Sequence, residues 1–189
     1  MNLFFIKKKI NLNLISLYFI HGLSAILPLI VFPRVLYLLG PEKYSSIIVG
    51  ESIMFIIQAI SLYGYEINGI KKIYENQNKY FNVIIQTRLF LLTCLFILII
   101  FLSIIEIIDG YIVGFWLMFP LSFILQNNYF FLKNEDNWSL FRLILPSRIL
   151  VVILIYFFLK PDSEAWLVPL IIGLSYLFSS LLVIRYIVT

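Results

Sequence analysis

The segment LFLLTCLFILIIFLSIIEII, residues Leu89–Ile108, decides the fold of this chain. It has one charged side chain, Glu106, which stands near its end. An α-helix rises about 1.5 Å per residue, so about 20 apolar residues cross the hydrocarbon core of a bilayer. The segment is therefore predicted to be a transmembrane helix.

The composition of the whole chain extends this reading. Hydrophobic residues make up 62% of the 189 residues, charged residues make up 13%, and the mean hydropathy is +1.01. A soluble domain carries about 25% charged residues, and disordered chains are much less apolar. Both classes are excluded, and we expect an all-α integral membrane protein.

Five further apolar stretches are separated by short polar segments and turn signals. The dipeptide Gly40-Pro41 breaks any helix, and Gln126-Asn127-Asn128 interrupts the fourth stretch. The sequence predicts one domain, residues 1–189, folded as a six-transmembrane-helix bundle. Its helices are predicted at residues 12–32, 45–63, 89–108, 111–132, 143–159 and 166–184.

The basic residues predict the orientation of this bundle. If the Lys7–Lys9 end lies inside, all but three of the 14 Lys and Arg residues fall on the inner side. The exceptions are Arg34, Lys43 and Lys160, and the acids of the predicted turns lean outward: Glu42, Glu106, Asp109, Asp162 and Glu164. The positive-inside rule then puts both termini in the cytoplasm. Because the basic groups are short and lie between apolar runs, we expect membrane lipids as partners and no nucleic acid.

The residues of soluble enzymes and metal sites are not assembled in this sequence. The chain has one His and one Cys, and it contains no HExxH motif, no P-loop and no paired carboxylates on one face. We expect no enzyme activity, no cofactor and no metal. Four aromatic residues near predicted helix ends indicate an interfacial belt: Tyr111, Trp116, Trp138 and Trp166.

Polar residues inside the predicted helices are the candidates for function. Glu51 and Gln58 are seven residues apart in the second helix and share nearly the same face. A charge in hydrocarbon is costly and marks a substrate pathway by default. We interpret both as cavity-lining residues, and a structural hydrogen bond near the outer interface is the alternative. In the first helix, His21 lies on one polar face with Tyr18, Ser24 and Pro28, and it either lines the cavity or bonds a neighbouring helix.

Three arginines are predicted near the inner ends of the third and fifth helices. Arg88, Arg142 and Arg148 either extend to lipid headgroups individually or together hold a phosphate, whose oxygens match the guanidinium fork. Gln126 supplies an amide at the same predicted depth.

An ordered set of motifs resembles the N-terminal part of the Wzx-type flippases, the polysaccharide repeat-unit transporters of the MOP exporter superfamily. The set begins with Leu27-Pro28 and Pro33, Leu39-Gly40-Pro41-Glu42-x-Tyr44, and Gly64-Tyr65-x-x-Asn68-Gly69-x-Lys71-x-Ile73. It continues with Tyr129-Phe130-Phe131-x-x-x-Glu135-Asp136, Ser147-Arg148 and Lys160-x-Asp162. The arginine that this family carries before its Leu-Gly pair falls on Tyr37, and Arg34 stands one turn earlier.

The resemblance implies a function and also a missing part. It implies that lipid-linked oligosaccharide, carried on undecaprenyl diphosphate, is flipped across a bacterial inner membrane during O-antigen or capsule synthesis. Family members contain two such bundles, so this chain would need a second transporter half or a homodimer. The alternative is a truncated, non-transporting remnant or accessory bundle. The candidate residues of the substrate cavity are His21, Arg34, Glu51, Gln58, Arg88, Gln126, Arg142 and Arg148.

Overall fold

The computed structural model of the chain describes residues 3–62 and 77–188, and every regular element in these ranges is an α-helix. The elements are α1 (Leu3–Leu62), α2 (Gln77–Ile104), α3 (Gly110–Trp116), α4 (Met118–Gln126), α5 (Asn128–Asn134), α6 (Asn137–Phe158) and α7 (Leu167–Val188). The expected all-α class is confirmed. The motif at residues 64–73, with Lys71, lies outside the described residues, as does Tyr63, the last residue of the second predicted helix.

Among the described residues, five helical stretches are long and apolar enough to cross a membrane. They are Asn13–Leu62, Val83–Ile104, Gly110–Leu132, Asn137–Phe158 and Leu167–Ile187. Each has a mean hydropathy of at least 1.2 over its best window. The chain therefore has the character of a multi-pass membrane protein.

The longest helix, α1, reverses direction at Gly40. This residue has φ 77° and ψ 172°, a conformation that glycine adopts without steric cost, and Pro41 follows it. In a straight helix Ser24 and Gln58 would stand about 50 Å apart, yet both line one cavity. We call residues 3–39 the first limb of α1 and residues 41–62 the second limb.

The fourth predicted helix is divided into three short helices by breaks at Leu117 and Asn127, and its polar interruption predicted the second of these breaks. Asp109 caps the first of them, α3, by accepting hydrogen bonds from the backbone N–H groups of Tyr111 and Ile112 at 3.0 and 3.2 Å. Asn127 separates α4 from α5 with φ 48° and ψ 50°. Asparagine tolerates this left-handed conformation better than most residues, which explains the break at this position.

The turns are sorted between two ends of the bundle. At the end that contains Gly40, Lys43 Nζ donates to the carbonyl of Ser163 at 2.9 Å, and Ser45 shares a cavity with Asp109. The five acids predicted to lie on one side all belong to these three turns. At the opposite end, which we call the Asp136 end, the Tyr186 hydroxyl donates to Asp136 Oδ2 at 3.0 Å and Asn13 bonds the carbonyl of Glu135.

Trp116 corrects one prediction of the sequence. It was expected at the membrane interface, but it is 1% exposed, and its Nε1 donates to the carbonyl of Ile47 at 3.2 Å. The indole fits because Gly50 leaves room for it on the second limb of α1. Tyr111, Trp138 and Trp166 remain exposed at helix ends, as an interfacial belt requires.

We predict that Gly50→Ala destabilises the bundle. A Cβ at this position would lie 2.8 Å from Ile112 Cγ2 and 2.9 Å from Trp116 Cδ1, so the indole must move and weaken its bond to Ile47. Overpacking of this kind costs about 1–3 kcal/mol. The free energy of unfolding in detergent measures it, with Gly114→Ala as the control, because nothing lies within 4 Å of a Cβ there. Equal stability of the two variants would show that α3 does not pack on the second limb.

Candidate functional site

A cavity of about 180 Å³ lies between the two limbs of α1 and the helices α3, α4 and α7. Its polar lining residues are Ser24, Glu51, Gln58 and Tyr176, and its aromatic ones include Phe32, Phe55, Trp116, Phe119 and Phe123. The remaining lining residues are Leu27, Pro28, Val31 and Ile172. The cavity therefore combines a few polar groups with a largely aromatic wall.

Glu51 and Tyr176 stand at mid-depth in their helices, and Gln58 stands about one turn before the end of the second limb. Glu51 lies ten residues after Pro41 and eleven before Leu62, the two ends of the second limb. Tyr176 lies nine residues after the start of α7 and twelve before its end. At about 1.5 Å per residue both are roughly 15 Å from either end of a membrane-length helix, so the cavity is at the centre of the bundle.

Hydrogen-bond acceptors dominate the polar part of the cavity. Among the described residues that line the cavity, Glu51 is the one with a carboxyl group. It makes no hydrogen bond to another described residue. The Oε1 atom of Gln58 is buried and has no hydrogen-bond partner. Ser24 donates its hydroxyl proton to the carbonyl of Ile20 at 2.8 Å, so its oxygen also faces outward as an acceptor. The cavity is suited to a group that donates hydrogen bonds, such as a hydroxyl.

Phe119 is the centre of the aromatic wall. Its ring centroid lies 4.4 Å from that of Tyr176, 5.0 Å from Phe123 and 6.3 Å from Phe55. These aromatic residues were not among the site residues predicted from the sequence. Trp116, Phe119 and Phe123 are spaced by three and four residues, which puts them on one helix face, and this pattern is the signal that could have identified the aromatic wall.

Arg148 differs most from its predicted position. Because α6 begins at Asn137, Arg148 stands eleven residues into a helix of 22, at its middle and not at its inner end. Its side chain is 3% exposed, and its guanidinium carbon lies 3.5 Å from the ring centroid of Tyr176. The Nε and Nη1 atoms are buried without a hydrogen-bond partner. This is a cation–π contact in place of an ion pair.

The other two arginines of the predicted phosphate cluster lie elsewhere. Arg88 stands eleven residues into α2, is buried, and its Nη2 reaches the carbonyl of Leu62 at 3.5 Å. Arg142 is exposed, and its Nη2 donates to Ser139 Oγ at 3.3 Å. The three arginines thus belong to different helix contacts, and the structure does not bring them together as one cluster.

Three further candidates also lie outside the cavity. The guanidinium carbon of Arg34 is 5.4 Å from the ring centroid of Tyr156, and His21 is exposed. Gln126 is fully buried and joins α4 to α7, since its Nε2 donates to Ser179 Oγ at 3.2 Å. Of the eight predicted residues, Glu51 and Gln58 are the two that line the cavity.

The cavity has no arrangement for a metal ion. In residues 3–62 and 77–188, no three His, Cys, Asp or Glu side chains are close enough to coordinate one.

Comparison with known proteins gives no assignment: no family model, no curated protein and no solved structure matches this chain.

We predict that the cavity is wet. In a chain with Cys94→Ser, a water-soluble maleimide should label Gln58→Cys at least about tenfold faster than Phe90→Cys, because the thiolate that reacts needs water. Phe90 is a matched control: it stands near the middle of α2 and is 68% exposed on the outer surface of the bundle, where lipid would surround it. Rates from gel-shift labelling in liposomes decide the point, and equally slow labelling of both would mean a dry cavity.

Proposed function

We propose that this chain is one bundle of a membrane transporter that flips a lipid-linked oligosaccharide during cell-surface polysaccharide synthesis. The observation that carries the proposal is the cavity at the centre of the bundle, where Glu51 and Gln58 present acceptor oxygens that have no hydrogen-bond partner among the described residues. The ordered motifs supply the substrate class. Transporters place their substrate sites near the bilayer midplane, between helices that move against each other.

The depth of Glu51 in the bundle favours a ligand-binding role for this residue over a structural one. A carboxylate at this depth costs several kcal/mol unless water or a partner meets it. A structural role would show as a bond to a neighbouring helix, and Glu51 makes none with the described residues. A hydrated cavity that receives polar ligands meets the requirement.

The chemistry of the cavity favours a sugar in this half of the transporter. Sugar hydroxyls donate hydrogen bonds to carboxylate and amide oxygens, and the apolar faces of sugar rings pack on aromatic side chains. The acceptor oxygens of Glu51 and Gln58 do not suit a diphosphate, whose own oxygens also accept hydrogen bonds. We infer that this cavity receives the oligosaccharide.

The size of the cavity supports the need for a second bundle. At about 180 Å³ it is smaller than the 300–1,000 Å³ typical of ligand sites. An oligosaccharide needs a larger lining surface than the cavity of one bundle provides. We infer that a separate transporter half or a second copy of the chain closes the site.

We also infer six crossings, with each limb of α1 as one of them. The second limb, residues 41–62, is about 33 Å long, which matches a bilayer core of about 30 Å. The bias of Lys and Arg toward the opposite side in the sequence supports an outer position for the Gly40 end and a cytoplasmic position for the Asp136 end. The resemblance to the flippases supports a bacterial inner membrane.

Complementation of a flippase-null strain tests this function. We predict that the chain restores surface polysaccharide together with a second half, and that Glu51→Gln reduces the restored amount by about tenfold or more at equal protein level. The loss of a hydrogen bond to a charged group, worth about 1.5–3 kcal/mol, gives this magnitude. Glu164→Gln is the control, since Glu164 is exposed in the turn between α6 and α7. No restoration in any combination would identify an accessory bundle without transport.

A second prediction concerns the partner. If two copies form the site, cysteine crosslinking from Phe55→Cys in a chain with Cys94→Ser should give a dimer in the membrane, because Phe55 lines the cavity and is exposed. Phe90→Cys is again the control, because Phe90 is exposed on α2 and does not line the cavity. A monomer in lipid for both positions would leave the separately encoded half as the partner.

A further inference from the structure

The hydrogen-bond acceptors of the central cavity lie at two levels. Glu51 comes eleven residues after Gly40 on the second limb of α1, and Gln58 comes seven residues later. At about 1.5 Å per residue these two residues stand roughly 10 Å apart along the limb. Ser24 comes sixteen residues before Gly40 on the first limb, which puts it closer to the level of Gln58 than to that of Glu51. We call these the carboxyl level, with Glu51, and the amide level, with Gln58 and Ser24.

Aromatic rings lie at the carboxyl level. Tyr176 stands at mid-depth, as Glu51 does, and both line the cavity together with Trp116 and Phe119. The ring centroid of Phe119 is 4.4 Å from that of Tyr176 and 6.5 Å from that of Trp116. Because the face of an aromatic ring attracts a cation, this level offers a cation both a carboxyl group and ring faces.

The cavity wall supplies no counter-charge for Glu51. Of the described residues that line the cavity, none is a Lys, an Arg or a His. The guanidinium carbon of Arg148 lies 3.5 Å from the ring centroid of Tyr176, but Arg148 is not one of the lining residues. A carboxylate at this depth is costly without an opposite charge. A positively charged group of a ligand therefore stabilises the ionised form of Glu51 directly.

An ammonium group suits the carboxyl level better than a hydroxyl does. A hydroxyl donates one hydrogen bond, whereas an ammonium group donates up to three and also brings the positive charge. The amide level differs, because its acceptors are neutral. The Oε1 atom of Gln58 is buried without a hydrogen-bond partner, and Ser24 has donated its proton to the carbonyl of Ile20. This second level suits an uncharged hydroxyl.

We propose that the central cavity selects an amino sugar, a sugar unit with a free ammonium group, in the lipid-linked oligosaccharide, an inference that rests on the proposed function. The ammonium group contacts Glu51 and the ring of Phe119. A hydroxyl on the opposite edge of the same sugar donates to Gln58 Oε1. One sugar ring with a hydrogen bond at each edge spans the distance between the two levels, and the cavity volume of about 180 Å³ leaves room for one such unit.

Ligand binding by the purified full chain in nanodiscs tests this selection. With Trp138→Phe and Trp166→Phe, Trp116 in the cavity wall is the remaining tryptophan, and its fluorescence reports a bound ligand. The probes are three hexyl glycosides with the same sugar ring: the glucosaminide, which has a free amine, the N-acetylglucosaminide and the glucoside. We expect the Kd of the glucosaminide to be about tenfold or more below the other two, because its charged group alone pairs with Glu51.

Two substitutions separate the levels of the cavity. Glu51→Gln should remove the preference, so that the three Kd values lie within about twofold of one another. Gln58→Leu should weaken the binding of all three probes and keep the preference. Glu164→Gln is the matched control for Glu51→Gln and should leave all three Kd values unchanged, since Glu164 is exposed in the turn between α6 and α7.

The comparison of the three probes needs no change at Glu51, so it decides the point even if Glu51→Gln does not fold. Equal Kd values, or a preference that persists in the folded Glu51→Gln variant, overturn the ammonium group as the ligand and leave the sugar site of the proposed function standing. Hexylamine has the ammonium group without the sugar, and binding as tight as that of the glucosaminide overturns the sugar as its source. No response of Trp116 to any glycoside would instead reject the cavity as a sugar site, and the proposed function with it.

Discussion

Hydrocarbon offers no hydrogen bonds, so every polar group inside this bundle must find its partner within the protein or in water. Most side chains obey this in the simplest way. The hydroxyls of Ser122, Ser147, Ser175, Ser179 and Ser180 each donate to a backbone carbonyl three or four residues earlier in the same helix. Such serines are small and satisfied, and they let α4, α6 and α7 pack closely.

Polar groups that lack such a hydrogen-bond partner are therefore informative. Gln58 and Arg148 keep buried polar atoms without a hydrogen-bond partner, and Glu51 lines the cavity without a hydrogen bond to another described residue. The ring of Tyr176 separates the cation from the carboxylate, so the two opposite charges stand at similar depth without forming an ion pair. A bundle selected for stability alone would pair or remove them. The fold therefore keeps the carboxylate and the guanidinium as two separate polar groups.

Much of the fold was predictable from the sequence because membrane helices are set by local properties. Apolar length predicted the helices, Gly40-Pro41 predicted the turn in α1, and the polar triplet at residues 126–128 predicted the break near Asn127. Helix ends were less predictable. Helix α6 begins six residues before the predicted start at 143, since the side chain of Asp136 caps the helix by accepting a hydrogen bond from the backbone N–H of Ser139. That extension moves Arg148 from the membrane interface to the middle of the bundle.

The sequence by itself determined the membrane character of this chain, the approximate helices, the position of the turn acids at one end and the shared face of Glu51 and Gln58. Only the tertiary structure decided what that face meets, that Trp116 is buried, and that Arg88, Arg142 and Arg148 do not form one cluster. The physical reason is that a helical period of 3.6 residues fixes which side chains share a face of one helix. It contains no information about the neighbouring helix, which depends on side-chain shape, as at Gly50 beside Trp116.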